Sequence, residues 1–473
     1  MILLFIAVFF LINSSHAQDL DCVKPYSRNI SLEKLTKCPK LNQFIKDNKD
    51  SSIYLVTASS FLKNPASLFG HNFLLFTKNN PSDSISGFTL NFEAVDDSKS
   101  GIEYIYKGLF GKFQGRYNLK RFYNNIKLYN NFEDRNLILN KLEFTDSEID
   151  HFLLKAWEYS FSAPEIPYYF LNGNCAFYIY DFLENDDISH KLPFGYYSPQ
   201  DTYFDLKEKL NTREIIKPSI KKEILNYSEM KEEIASLYAN AQYQVYKKQR
   251  NEDAPSLKES LLKLNHYKNK TNKKLPKLNS VNFNKHRPYG DIKVGSNGRV
   301  KSLFEISAVE NIYYDRFGVN KLNLLNYTTN NFNGLESEFV LAELISNQNF
   351  ESKFKDLSWN MALRHQKKMS LEFESTNATL GLGISQSFLN RLYLTLKMDS
   401  IIDSRFVDIF PTSTASFTNN NLVFEGTYSQ KYRLQYTKFL AGYEFYKNVA
   451  INCVFEDFKG HESRTYMALD IRL

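Results

Sequence analysis

Two stretches of the chain carry residues able to do chemistry together: FGHNFLLF, residues 69–76, and NGNCAFYIYDFL, residues 172–183. The first sets His71 at the start of an apolar run, and the second sets Cys175 at the mouth of another. A thiol attacks as thiolate, and both a helix N-terminus and a nearby imidazole favour that form. If Cys175 opens a helix, the backbone amides at Asn174 and Cys175 converge there and can also hold an oxyanion. His71 would then take and return the thiol proton, as in thiolate–imidazole enzymes. A third polar group should orient the ring, and Asn91 in TLNFEA offers one, with Glu93 two residues on and on the same strand face. Each residue also has a plain structural reading. A lone cysteine is more often core packing than a nucleophile, and a lone histidine can be a satisfied buried side chain. Zinc has no support, because CxxC, HxxxH and HExxH spacings are all missing. His151 and His190 read as surface residues.

The elements that must position this pair follow from periodicity. SIYLVTAS (52–59), HNFLLFTK (71–78) and GFTLNFEAV (87–95) read as strands, the second so apolar that both its faces should be covered. KNNPSD between the last two is a turn by composition. YKGLFGKFQGRYNL (106–119) spaces Gly108, Gly111 and Gly115 by three and four residues, which is not the dinucleotide fingerprint; it reads as a tight-packing or substrate-flanking loop. A helix over 145–162 opens on Thr145 and Glu148, the capping-box pair. After the extended APEIPYYFLNGNC, residues 175–185 form an apolar helix beginning at Asn174–Cys175.

Residues 205–275, rich in Lys and Glu, read as helical, followed by the polar linker NHYKNKTNKKLPKLNS. From about 286 onward period-2 alternation takes over in runs such as NRLYLTLKMD and YRLQYTKFLAGYEFY. Such runs, separated by turn residues, read as an antiparallel sheet closing into a barrel. In an exported chain this could be an outer-membrane barrel or a soluble one, and the sequence leaves both open.

Residues 1–17 end a short apolar run in small residues and read as a secretory signal. The mature chain would be long enough for two or three domains. The net charge of +6 is spread over 473 residues and is no nucleic-acid footprint. Of the four cysteines, Cys22 and Cys38 lie close enough in sequence to close a disulfide in an oxidising compartment. Cys453 lies in a strand pattern and reads as a buried apolar side chain, which leaves Cys175 as the unpaired thiol that calls for an explanation.

NPASLFGHNFLLF, GFTLNFEA, KGLFGKFQGRY and YYFLNGNCAFYIYDFLE, in that order over about residues 50–190, resemble the Lnb N-terminal periplasmic domain family, marked by FGH and NC motifs. RPYGDIKVGSNGRV and LSWNMALRH resemble the β-rich region that often follows that domain. The His-before-Cys order is similar to circularly permuted NlpC/papain-like proteins, including lecithin retinol acyltransferase. The resemblance implies an α+β chain with a permuted papain-like N-terminal domain, a helical connector and a C-terminal antiparallel β-barrel. Its domains would be a signal (1–17), a cap (18–50), the Lnb domain (51–204), the connector (205–280) and the barrel (281–473). It implies Cys175 as nucleophile, His71 as base and Asn91 as the third group, no cofactor or metal, and an acyl or peptide substrate of the cell envelope. Ala176 stands where members of the family usually carry Ser or Thr. The expected function is a periplasmic or outer-membrane thiol hydrolase or acyltransferase of a Gram-negative bacterium. The alternative is a non-catalytic binding or assembly protein anchored by its barrel.

Overall fold

A computed structural model of the chain describes residues 38–271 and 289–472, apart from 60–69, 82–84, 163, 189–190 and 194–196 in the first part and short segments between strands in the second. The chain divides into two units, Met1–Ser280 and Val281–Leu473.

In the first unit, α1 (Pro39–Asn48) leads into β1 (Ser52–Ala58), β2 (His71–Thr77) and β3 (Phe88–Val95). Then come α2 (Gly101–Leu109), β4 (Phe113–Arg121), α3 (Phe122–Asn125, continued by a π-helical stretch Ile126–Phe132) and β5 (Leu137–Leu142). The long α4 (Asp146–Ser162) and the three-residue β6 (Ile166–Tyr168) precede α5 (Cys175–Glu184), α6 (Pro199–Asp205) and β7 (Leu210–Lys217). The strands form one antiparallel sheet in the order β6-β4-β3-β2-β1-β5-β7. Side chains alternate across it. Leu55, Leu74, Leu90 and Phe92 meet Leu153 and Ala156 of α4 and Ile179 and Phe182 of α5 on one face. On the other, Val56, Phe73 and Leu75 meet Phe122, Ile126 and Tyr129 of α3. This double covering is why HNFLLFT is apolar at almost every position.

The three spaced glycines are packing points. A Cβ at Gly108 would strike the Phe170 ring at 2.2 Å, one at Gly111 the Tyr169 ring at 2.2 Å, and one at Gly115 the Phe92 ring at 2.5 Å. Phe92 in turn stacks on Tyr168, with ring centroids 5.8 Å apart. The absent side chains thus let the segment that leads into Cys175 lie close against α2 and β4.

The α4 capping box is made in both directions: the Glu148 amide donates to Thr145 Oγ1, and the Thr145 amide donates to Glu148 Oε2. From this helix the buried Lys155 reaches the far end of α5, donating to the Phe182 and Asn185 carbonyls. A cation on those orphan carbonyls complements the helix dipole, and burial pulls its pKa down to about 8.

The segment after 205 is not helical throughout. β7 pairs with β5, Leu137↔Lys217 through Leu142↔Leu210. Its composition is charged, but the free edge of β5 and the β-branched Thr212, Ile215 and Ile216 decide the conformation. Helices α7 (Ile220–Ser228), α8 (Glu233–Gln249) and α9 (Leu257–Thr271) follow.

The second unit is a ring of twelve antiparallel strands, β8 (Tyr289–Ser296) to β19 (Arg464–Arg472), closed where β19 pairs with β8 and β9 (Ser302–Asp315) with β10 (Gly318–Asn330). Its alternation is inverted relative to a water-soluble barrel. Ser375, Asn377, Thr379, Ser385, Thr395 and Asp399 are buried. Their outward neighbours Leu382, Leu396 and Ile409 are 61%, 60% and 65% exposed. Cys453 follows this pattern and corrects the expectation of burial: it lies between the outward Ile451 and Phe455 and is an exposed free thiol.

Replacing Lys155 by Met should leave the two α5 carbonyls without their charged donor and lower the unfolding free energy by roughly 1.5–3 kcal/mol; urea unfolding at pH 7 of the variant beside the wild type checks this.

Candidate active site

Cys175 is the first residue of α5 and a buried free thiol. Asn174 is the N-cap: its Oδ1 accepts from the Ala176 and Phe177 amides at 2.9 and 3.2 Å, while its Nδ2 donates to the carbonyls of Phe170 and Tyr197 at 3.2 and 2.7 Å. The asparagine side chain is therefore spent on fixing the helix start. Asn174 and Cys175 thus form the helix mouth that the sequence places there. Ala176 packs into the core, and its carbonyl accepts from the Thr202 hydroxyl at 3.0 Å.

The mouth of α5 is seated against the start of β2. The backbone amide of Asn72, the residue after His71, and the Tyr168 hydroxyl both favour the thiolate form of the sulfur. β3 pairs with β2 only from Phe73 onward, so the sheet is open beside Asn72 and its amide is free to point at the sulfur. The Asn72 side chain locks this corner, accepting from Thr57 Oγ1 at 2.8 Å and donating to the Pro199 carbonyl at 2.9 Å. Gly70 must be glycine here: its φ is +98°, and a Cβ would lie 3.0 Å from the Ala58 carbonyl and 3.3 Å from Pro199. The FGH sequence thereby brings the strand start in beneath α6.

His71 and Asn91 share a sheet face. Asn91 pairs with Phe73, placing it diagonally from His71 across β2 and β3. The Asn91 carboxamide is fixed by a buried ring of bonds: Asn125 Nδ2 donates to its Oδ1 at 2.7 Å, its Nδ2 donates to Thr89 Oγ1 at 3.0 Å, and Thr89 donates to Asn125 Oδ1 at 3.2 Å. The Asn91 carboxamide acts on the His71 ring as an acceptor, which favours a proton on the ring. Nε2 is buried without a partner, so that acceptor assigns the proton to Nδ1 and leaves the Nε2 lone pair available. The ring packs on Tyr129 with centroids 5.3 Å apart. Glu93, the other expected group, is paired with Lys120 at 2.5 Å.

Arg135, buried between these elements, was not legible from the sequence. Its guanidinium donates to the carbonyls of Ala58 and Ser59, opposite His71 on β1, pairs with Glu133 at 2.9 Å and lies over the Tyr129 ring at 4.9 Å. Burial, then the positive charges of Arg135 and Lys120, push the His71 pKa down to about 3. Burial raises the Cys175 thiol, against the Asn72 amide, Tyr168 and Arg135, which pull it down. The resting pair is thus a neutral thiol and a neutral imidazole. The His71 ring packs on Tyr129, and the charge of Arg135 acts on both members. No hydrogen bond joins Nε2 to the sulfur in this state.

Tyr168 is the second group that sequence reading missed. Its buried hydroxyl favours the thiolate form of Cys175, and burial holds its own ionisation well above the ordinary tyrosine range. His151 lies beside Asp186 at 3.7 Å, while His190 and Cys22 fall outside the described residues. Cys38 is disulfide-bonded. Among the described residues, no three His, Cys, Asp or Glu side chains converge as a metal would require.

Residues 40–209, which hold every one of these groups, match the family model described as the Lnb N-terminal periplasmic domain. Residues 40–209 belong to this family. The chain is accordingly an exported protein of the periplasm or outer membrane. No curated protein matches it. Among solved structures, the KdgM porin in complex with disordered oligogalacturonate is similar at 9% identity and a TM-score of 0.27, over 39% of this chain and 98% of that one. Acinetobacter baumannii outer membrane protein Omp33 is similar at 7% and 0.25, over 39% and 98%. A triple mutant of Rhodopseudomonas blastica porin is similar at 10% and 0.21, over 41% and 100%. The FGH and NC motifs of the Lnb domain are the two sides of one corner, the strand start and the helix mouth that meet at Asn72 and Cys175.

Because the folded Lnb domain leaves His71 unprotonated down to about pH 3 while the unfolded chain takes up a proton near pH 6.5, its stability should fall as pH drops through that window. His71→Gln should make the fall shallower, as read by denaturant midpoints measured from pH 7 to 4.

Proposed function

We propose that the Lnb domain is a cell-envelope cysteine hydrolase or acyltransferase acting on an amide, ester or thioester, with a permuted papain-like arrangement of its groups. The observation that carries this reading is the unpaired sulfur at a capped helix mouth, seated on the residue next to a histidine whose Nε2 is free and whose Nδ1 is held by Asn91. The neutral starting state suits general-base activation. As Cys175 attacks the carbonyl, its proton passes to Nε2 of His71 and the carbonyl electrons move to oxygen beside the Cys175 amide. Collapse expels the leaving group, which takes the proton back from His71. Water or another acceptor then releases the acyl group from sulfur. Asn91 holds the ring in the tautomer that can accept the proton, and Arg135 disfavours imidazolium before substrate arrives.

The barrel is read as the anchor. A polar wall turned inward and an apolar wall turned outward is the arrangement lipid requires, and an exposed belt containing Leu382, Leu396, Met398 and Ile409 would be costly in water. Substrates would then be peptides or acyl groups of the envelope.

The reading makes two checks available. With exposed Cys453 replaced by Ser, an activated ester should leave one acyl adduct on Cys175 by intact-mass analysis. Cys175→Ala should abolish it, and His71→Ala should slow its formation roughly hundredfold or more. A wild-type sulfur that never acylates would favour the binding or assembly alternative instead. For the barrel, the folded chain should need detergent for extraction and should migrate differently on electrophoresis before and after boiling. Extraction by salt alone would make it a soluble barrel.

A further inference from the structure

The polar face of the sheet continues past the imidazole. Two residues on from the Phe73↔Asn91 pair stand His71 on β2 and Glu93 on β3, and Glu93 pairs in turn with Arg116 of β4. The three thus form one row across the sheet, and strand alternation turns all three to the same face. Arg116 is two strand spacings from His71, roughly 10 Å. Gln114 and Arg116 are exposed and Asn118 is half-buried, whereas α3 packs farther across the sheet, on Val56, Phe73 and Leu75.

The charges in this row are not matched. Oppositely charged residues that face each other across two strands stabilise the pairing. Here Glu93 turns from Arg116 to Lys120, which stands opposite Thr89 and donates to both carboxylate oxygens at 2.7 and 2.5 Å. That ion pair runs along the strands past Asn91 and Asn118. Among the described residues, no hydrogen bond or ion pair holds the Arg116 guanidinium or the Asn118 carboxamide. An uncommitted cation and an uncommitted amide therefore stand next to each other on the face that carries the general base.

We propose, resting on the acyl-transfer reading above, that Arg116 and Asn118 form a subsite for a carboxylate of the substrate. The planar guanidinium fork matches the two oxygens of a carboxylate, and the Asn118 amide supplies a further N–H. A substrate held there by its carboxylate lays the intervening bonds across β3 and presents its carbonyl at the imidazole and the sulfur. The substrate class is then an amide, ester or thioester with a carboxylate a few bonds from the reacting carbonyl.

The test uses the full chain in detergent, in the Cys453→Ser background, and follows acylation of Cys175 by release of the phenol. Mono-p-nitrophenyl adipate and p-nitrophenyl hexanoate have equal carbon chains and differ by a carboxylate on the acyl side. The para-carboxyphenyl and para-carbamoylphenyl esters of hexanoic acid make the same comparison on the leaving-group side. Each rate is divided by that of the same ester with a free thiol in solution. The wild type should favour the carboxylate in at least one pair by roughly tenfold or more, the worth of a hydrogen bond to a charged group. Arg116→Gln should remove that preference, Arg116→Glu should reverse it, and added salt should weaken it in the wild type. A merely structural role for Arg116 would slow both members of a pair equally and leave their ratio alone. If the wild type shows no preference in either pair, or the preference survives in Arg116→Gln, the subsite falls while the acyl-transfer reading stands. If no ester acylates Cys175 although iodoacetamide still alkylates it, the acyl-transfer reading itself fails and the subsite goes with it.

Discussion

The arrangement at the site depends on where the first turn of α5 is held. A helix start carries unsatisfied amides, and here Asn174 takes two of them while anchoring itself to the carbonyls behind it. That cap fixes the direction in which the Cys175 amide and sulfur leave the helix. At the other end Lys155 covers the last carbonyls. A short, almost wholly buried helix is thus satisfied at both termini, so it can lie inside the domain with its N-terminus against a strand. With the helix start moved, the sulfur would lose the Asn72 amide and Tyr168 together.

β3 pairs with β2 only from Phe73 onward, and His71 and Asn91 stand on one face of the two strands. The corner is held by side chains that bond to backbone: Asn72 to Pro199, Arg135 to Ala58 and Ser59, Asn174 to Phe170 and Tyr197. The cost of burying these polar groups is offset because nearly every one is satisfied. Nε2 of His71 is among the buried side-chain atoms that have no partner. An unsatisfied ring nitrogen inside a domain is destabilising, and its persistence fits a group kept available for a proton.

Much of this was legible in the sequence, for physical reasons. His71 and Cys175 stood out because a polar residue at the edge of an apolar run must have somewhere to go. Asn91 could be placed because strand alternation fixes which residues share a face. The glycines at 108, 111 and 115 announced close packing, though not that their partners were Phe170, Tyr169 and Phe92. Tyr168 and Arg135 carried no signal: one is among many aromatics and the other sits in a polar stretch, and only tertiary pairing of β6 with β4 and of β1 with β5 brings them to the sulfur and the imidazole. Burial raises the Cys175 thiol, and that burial depends on packing that sequence does not reveal. In the barrel, alternation was visible but not which face it turned outward, and so Cys453 was assigned to the wrong side.

The central claim is that one neutral imidazole nitrogen serves one buried thiol at a helix mouth. The most direct measurement is an experimental structure of the chain after reaction with a peptide aldehyde, which adds to a thiol as a stable mimic of the tetrahedral state. The account predicts a hemithioacetal on Cys175, its oxygen at the Cys175 amide, and Nε2 of His71 within hydrogen-bonding distance of the adduct. An adduct whose oxygen points away from that amide, with the His71 ring still unpaired beside Tyr129, would contradict it.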